Sequence, residues 1–233
     1  MQVQMARASS DFGTPFFQGR FPTPVVDTPD AADPLDTLGT AMTVAPGCEI
    51  YAEGDPASYW YLVRSGVLRT CKLLADGRRQ IDDFLFPGDV FGFEARAEHN
   101  FSAEAVTGAT MVRYSRTRLE LLAADDPRLG VRMLQVTLKR LGKAHERLLL
   151  LGRKTADEKL ASFLLEMLVR STQRDMIELP MSRSDIGDYL GLTIETVSRT
   201  FSRFKQQRMI TLPTAHCVTI VDQEALEALS GDE

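Results

Sequence analysis

Three features of this 233-residue chain predict an α+β fold. Turn signals recur at short intervals between apolar runs over residues 42–115. A long helical run with little glycine follows at 128–151, and two short capped helices meet at Gly191. The first feature marks an antiparallel barrel or sandwich, the second a long amphipathic helix, the third a helix-turn-helix.

Taken in chain order, the first forty residues hold Pro15, Pro22, Pro24, Pro29 and Pro34 among scattered Asp, Gly and Thr. That composition sustains neither a helix nor a central strand, so residues 1–40 are expected to form a flexible arm. Next come "PGCE", "EGDP", "RSGV", "ADGR", "PGDV" and "VTGAT", with "YWYLV", "IDDFLF" and "ATMVRY" between them, the pattern of short strands punctuated by turns. Asp76-Gly77 is a candidate hairpin turn. From Arg116 the texture becomes helical. Val131, Leu134, Leu138, Leu141, His145 and Leu148 step by threes and fours, forming an a/d seam that calls for a partner helix. Such a seam often just buries against its own domain. Here Met133, Val136 and Leu150 form a second partial stripe, which leaves the seam for a second copy of the chain. Gly152 is read as the interruption, and a new helix starts at "TADE", where Thr155 and Glu158 form a capping box.

Ser182 and Asp185, in "SRSD", form another capping box, and Gly191 ends that helix. Thr193 can cap the next, whose Val197, Phe201 and Phe204 face a core. The remaining face presents Ile194, Glu195, Ser198, Arg199 and Ser202. Small Gly187 lets the two helices cross closely. An ordinary helical hairpin with a solvated face explains neither glycine as well, nor the run of small side chains where a groove needs close approach.

Charge is unevenly spread beneath the net −5. Residues 1–60 carry eight acidic groups against two basic, residues 139–154 six basic against one acidic, and residues 183–208 five basic against three acidic. A local cationic face suits phosphates, although either run alone is more simply a solvated surface. Three scattered cysteines, Cys48, Cys71 and Cys217, suit neither a disulfide framework nor a metal knuckle. No run approaches the roughly 18 apolar residues of a spanning helix, and the N-terminus lacks a signal-peptide core, so a cytoplasmic protein away from membranes is expected. No Ser/His/Asp set, phosphate-cradling loop or metal-ligand spacing speaks for an enzyme.

"MSRSDIGDYLGLTIETVSRTFSRF" resembles the helix-turn-helix of the CRP/FNR family of bacterial transcription regulators, and "ETVSR" is similar to the recognition signature of its FNR and FixK branches. "PGCEIYAEGDPASYWYLVRSGVLRT" and "PGDVFGFE" resemble the cyclic-nucleotide-binding β-roll, and "MITLPTAHCVTIVD" the wing. The resemblance implies an α+β chain with a cyclic-nucleotide-binding-like β-roll at 41–125, a dimerisation helix at 126–152 and a winged helix-turn-helix at 153–233. It covers all but the arm.

Departures from the family pattern narrow the branch. Where cyclic-AMP-binding members carry Arg-Ser/Thr-Ala, this chain has His99-Asn100-Phe101-Ser102, leaving a cyclic phosphate without its guanidinium partner. Three scattered cysteines also fall short of the four thiolates of an iron–sulfur cluster. No cofactor is expected. What remains resembles the FixK branch, which implies a homodimer that activates low-oxygen and respiratory genes with RNA polymerase, on a TTGAT-type double-stranded DNA palindrome, without an effector. In base readout, Arg199 is expected to meet guanine, Glu195 an exocyclic amine, and Ile194 and Ser198 thymine methyls. Ser182, Arg183, Thr193, Thr196 and Arg203 are expected at phosphates. Thr200 stands where the family has a larger apolar residue, and slightly weaker packing is expected there. The loop "ADGRRQID" is the family-based candidate for the polymerase contact. The competing reading is a ligand-sensing module that docks on a protein.

Overall fold

The computed structural model describes residues 38–231; nearly all of the expected N-terminal arm lies outside them. Eight strands form two antiparallel four-stranded sheets. One contains β1 (Gly39–Val44), β8 (Ala109–Ser115), β3 (Tyr59–Ser65) and β6 (Val90–Phe91) in that order. The other contains β2 (Glu49–Tyr51), β7 (Ser102–Ala105), β4 (Leu68–Leu73) and β5 (Arg79–Leu85). Alternating inward residues, among them Tyr61, Val63, Leu68, Leu85, Phe91 and Met111, fill the space between the sheets. The Asp76-Gly77 turn joins β4 to β5 as the sequence suggests, with Gly77 at φ 84°.

The β4–β5 pair has a second use. Its register slips between Thr70 and Cys71, so that Thr70 opposes Asp83 while Cys71 opposes Ile81. A bulge of this kind resets the alternation of faces. Leu85 then points into the roll, while Ile81, Phe84 and Cys71 join the core of the C-terminal helices. The apolar core of the C-terminal helices therefore extends onto the outer face of β4 and β5, beside the separate core inside the roll.

α1 (Arg116–Asp125) leads through Asp126 into α2 (Pro127–Arg153). Asp126 caps α2 by accepting the Arg128 N–H, and Pro127 occupies the first turn, where its missing N–H costs nothing. At 27 residues, α2 is about 40 Å long. The helix runs through Gly152, so the expected interruption falls later, at extended Lys154. Thr155 and Glu158 then form the expected capping box that opens α3 (Ala156–Arg170).

No residue of α2 is fully buried. Met133, Val136 and Leu150 are half-buried, and Val131, Leu134, Leu138, Leu141 and Leu148 stand 51–71% exposed, with His145 exposed among them. The cationic run at 139–154 is not an open phosphate-binding face. Arg140 reaches Asp82 at 3.0 Å and Asp83 at 3.6 Å, Lys143 reaches Asp83 at 3.6 Å, and Arg147 donates to the carbonyls of Ile81 and Tyr189, both at 2.6 Å. Half of that charge is spent holding the helix to the β-roll.

The C-terminal unit continues with β9 (Met176–Glu178), α4 (Arg183–Leu190), α5 (Ile194–Gln206), β10 (Ile210–Thr214), β11 (Cys217–Ile220) and α6 (Gln223–Ser230). β11 lies between β10 and β9, and α6 packs on α3. The crossing of α4 and α5 depends on two glycines. Gly191 takes φ 64° as the left-handed cap of α4. A Cβ on Gly187 would lie 2.7 Å from the Leu192 carbonyl oxygen, closer than packed atoms allow. Gly187→Ala should therefore lower stability by about 2 kcal/mol, where alanine in an unhindered helix would raise it. Gly191→Ala, burdened only by its left-handed backbone, should cost about 1 kcal/mol. Thermal unfolding of the two variants gives the comparison; an unchanged melting temperature for Gly187→Ala would mean that the crossing can open at no cost.

Candidate nucleic-acid interface

Local signals fix both ends of the helix pair. The Ser182 hydroxyl accepts the Asp185 N–H at 3.1 Å, while an Asp185 carboxylate oxygen accepts the Ser182 N–H at 3.1 Å. Thr193 caps α5, its hydroxyl accepting the Thr196 N–H at 3.2 Å. Between them the Leu192 N–H donates to the Gly187 carbonyl at 2.9 Å and closes the turn.

Seated this way, α5 buries Val197, Thr200, Phe201 and Phe204. Its opposite face carries Glu195, Ser198, Arg199, Ser202 and Arg203 into solvent, with Ile194 46% exposed at the start. Thr193 is exposed at the corner, Thr196 is half-buried beside it and Ser182 is exposed at the start of α4. Glu195 is held below its ordinary carboxyl pKa by hydrogen bonds from its own backbone N–H and the Thr193 side chain, with Arg199 one turn away adding attraction. It is thus charged at neutral pH. An exposed row of small and forked polar groups, flanked by the β10–β11 hairpin, has the dimensions and chemistry to enter a major groove.

Two of the expected phosphate groups have protein partners in this state. Arg203 pairs with Asp157 near the start of α3 at 2.5 Å. Arg183 lies across the Phe201 ring, 3.4 Å from its centroid, and its Nη1 is buried without a hydrogen-bond partner among the described residues. Burial pushes the Arg183 guanidinium down to about 10. Thr200 corrects the expectation of weakened packing: it is fully buried, and its hydroxyl donates to Asp157 at 3.3 Å. Asp157 therefore ties α5 to α3 through two side chains. Sequence reading missed it because 43 and 46 residues separate it from its partners.

In the β-roll, residues 99–102, the run expected to correspond to the family's phosphate cassette, are buried at His99 and half-buried elsewhere. His99 is buried and stacks on Tyr51 with ring centroids 3.6 Å apart. Asn100 donates to Glu94 at 2.7 Å. Lys72, the cation beside Phe101, pairs with Glu53 at 2.6 Å. The run 99–102 offers no guanidinium to pair with a cyclic phosphate, so these residues do not fit that ligand.

A β-roll joined by a long helix to a winged helix-turn-helix defines a class of DNA-binding transcription regulators. Residues 41–126 match the model of a cyclic nucleotide-binding domain, and residues 158–229 that of a Crp-like helix-turn-helix domain. The chain is 44% identical over 205 residues to nitrogen fixation regulation protein FixK of Azorhizobium caulinodans, covering 86% of this chain and 83% of that one. It is 41% identical over 196 residues to FixK of Rhizobium meliloti, covering 84% and 90%. The solved structure of FixK2 from Bradyrhizobium japonicum superposes with a TM-score of 0.81 at 42% identity, over 84% of this chain and 98% of that one. The chain belongs to the CRP/FNR family of transcription regulators and is strongly similar to its FixK proteins. No helix among the described residues is long and apolar enough to cross a membrane.

Proposed function

We propose that this protein is a cytoplasmic transcription activator that binds a TTGAT-type palindrome as a homodimer, without a cyclic nucleotide, and controls low-oxygen or respiratory genes. The observation that carries this reading is the exposed row on α5, whose residue types match the donor and acceptor pattern of a base pair's major-groove edge. Arg199 meets guanine O6 and N7, Glu195 accepts from an exocyclic amine, and Ile194 and Ser198 approach thymine methyls. Ser182, Thr193 and Thr196 lie at phosphates. Arg183 and Arg203 join them by leaving Phe201 and Asp157, respectively. The seam of α2 pairs with its copy and presents two α5 helices about 34 Å apart, one turn of duplex. The β4–β5 loop around Asp76 is the candidate contact for RNA polymerase. The low-oxygen assignment rests on similarity to proteins named for nitrogen fixation regulation.

Operator binding should be complete without added small molecule. A tenfold gain on adding cyclic AMP or cyclic GMP, read by gel shift at fixed salt, would contradict the effector-free reading.

Leu141→Asp places a charge in the seam, and sedimentation should show a monomer that no longer holds the operator. A stable dimer for that variant would remove the seam from the interface.

Readout and attachment separate in a third experiment. Glu195→Ala should relax preference at one base pair and leave random-DNA binding equal or tighter, since a negative charge near phosphate is removed. Arg199→Ala should cost about 1–3 kcal/mol at the cognate site and less on random DNA. Arg203→Ala should weaken every sequence alike and reduce the salt slope by about one unit. Titrations over single-base operator variants at two salt concentrations test all three; equal losses on cognate and random DNA for Glu195→Ala and Arg199→Ala would exclude base reading by α5.

A further inference from the structure

The first helix of the helix-turn-helix is held by more than the extended link at Lys154 that joins α2 to α3. α4 lies against β5, with the Phe84 and Tyr189 ring centroids 5.1 Å apart. Around that apolar contact runs a set of directional bonds from three different elements. Arg79 of β5 pairs with Asp185 and, at 2.7 Å, with Asp188, both on α4. Arg69 of β4, anchored by Glu104 at 2.6 Å within its own sheet, reaches Asp185 at 2.9 Å. Gln80 donates to the Asp188 carbonyl at 2.7 Å. Arg147 of α2 lies 3.8 Å from the Tyr189 ring centroid while it bridges the Ile81 and Tyr189 carbonyls.

Asp185 divides its labour between these partners. One carboxylate oxygen receives both arginines, and the other receives the Ser182 N–H and hydroxyl that close the cap of α4. An apolar contact alone tolerates sliding, whereas a guanidinium fork spanning two carboxylates one turn apart fixes an angle. Arg79 supplies that fork. It can also be removed with little collateral damage, because Arg69 and Ser182 still satisfy Asp185.

We propose that Arg79 is a positioning residue for operator recognition: through Asp185 and Asp188 it sets the angle of α4 and α5 against the β-roll and α2. It thereby sets the half-site spacing that the dimer accepts. The inference rests on the palindrome-binding dimer proposed above.

The test uses the full-length chain and synthetic duplexes bearing two TTGAT half-sites, with the spacer stepped one base pair at a time. Each base pair added moves and rotates one half-site, so the wild-type protein should lose about tenfold or more in affinity one step from its best spacing. Arg79→Ala should remain a dimer, bind a lone half-site as the wild type does, and lose about tenfold at the best spacing. Its spacing profile should flatten to about threefold between neighbours, with Arg79→Lys recovering part of the discrimination. Asp188→Asn, which removes one leg of the fork at a partly exposed site, should flatten the profile too, and it decides the matter if Arg79→Ala fails to fold. Amide exchange around residues 152–156 should rise in both variants.

A profile as sharp in the variants as in the wild type, whatever the overall affinity, overturns the proposal, and so does a flat wild-type profile. A wild-type protein that binds no palindrome at all instead overturns the DNA-reading assignment on which it rests.

Discussion

Burying the carboxylate of Asp185 obliges the surrounding structure to satisfy it, and much of the architecture follows from how that is done. Desolvation pushes its pKa upward, but the Ser182 hydrogen bonds and the Arg69 and Arg79 charges more than compensate, and the group settles below the ordinary carboxyl value. It is ionised at neutral pH and so remains a partner for two arginines of the β-roll. A buried charge stripped of its partners is among the more costly defects a protein can carry. The cap of the reading unit and the contact between domains are therefore chemically the same event. A β-roll that shifts must either carry α4 with it or expose that carboxylate.

The arrangement of cations follows a similar logic. A chain of net charge −5 that addresses a polyanion has few cations to spare. Arg140, Lys143 and Arg147 on α2, Arg69 and Arg79 on the roll, and Arg170, which meets Asp89 at 3.0 Å, all serve internal contacts. The exposed cations of α5 are Arg199, Lys205 and Arg203, the last shared with Asp157. Weak general attraction to phosphate raises the share of binding that base contacts must supply. For a regulator that must ignore most of a chromosome, this is an advantage in discrimination.

The elements whose signals are local were legible in the sequence. Ser182 and Asp185, Thr155 and Glu158, Gly191 and the Asp76-Gly77 turn each act within four residues, and each does what its residue types dictate. The α2 seam was legible because periodicity is a property of one helix. The destinations of the charges on α2 were not, since Asp82, Asp83, Ile81 and Tyr189 lie 42–66 residues away. Thr200 and Arg183 illustrate the same limit at the site: a hydroxyl read as a packing defect is a tie to Asp157, and a cation assigned to phosphate rests on Phe201. The β5 bulge, which turns Ile81 and Phe84 outward, leaves no mark in the local pattern because either register is compatible with an apolar run.

A 27-residue helix with no fully buried side chain, three of whose nine half-buried residues are charged, gains little from its own β-roll. Five exposed aliphatic residues on one line are more apolar surface than a solitary helix comfortably leaves in water. Pairing with a second copy would bury them and give α2 the packing that helices of this kind depend on. The flanking residues favour such an approach, since Gly142 and Ala144 beside the seam keep the two backbones free to come close. In that dimer α2 would be the rigid bar to which Arg147 fastens α4, so the interface that joins two copies is also the reference against which each reading helix is aimed.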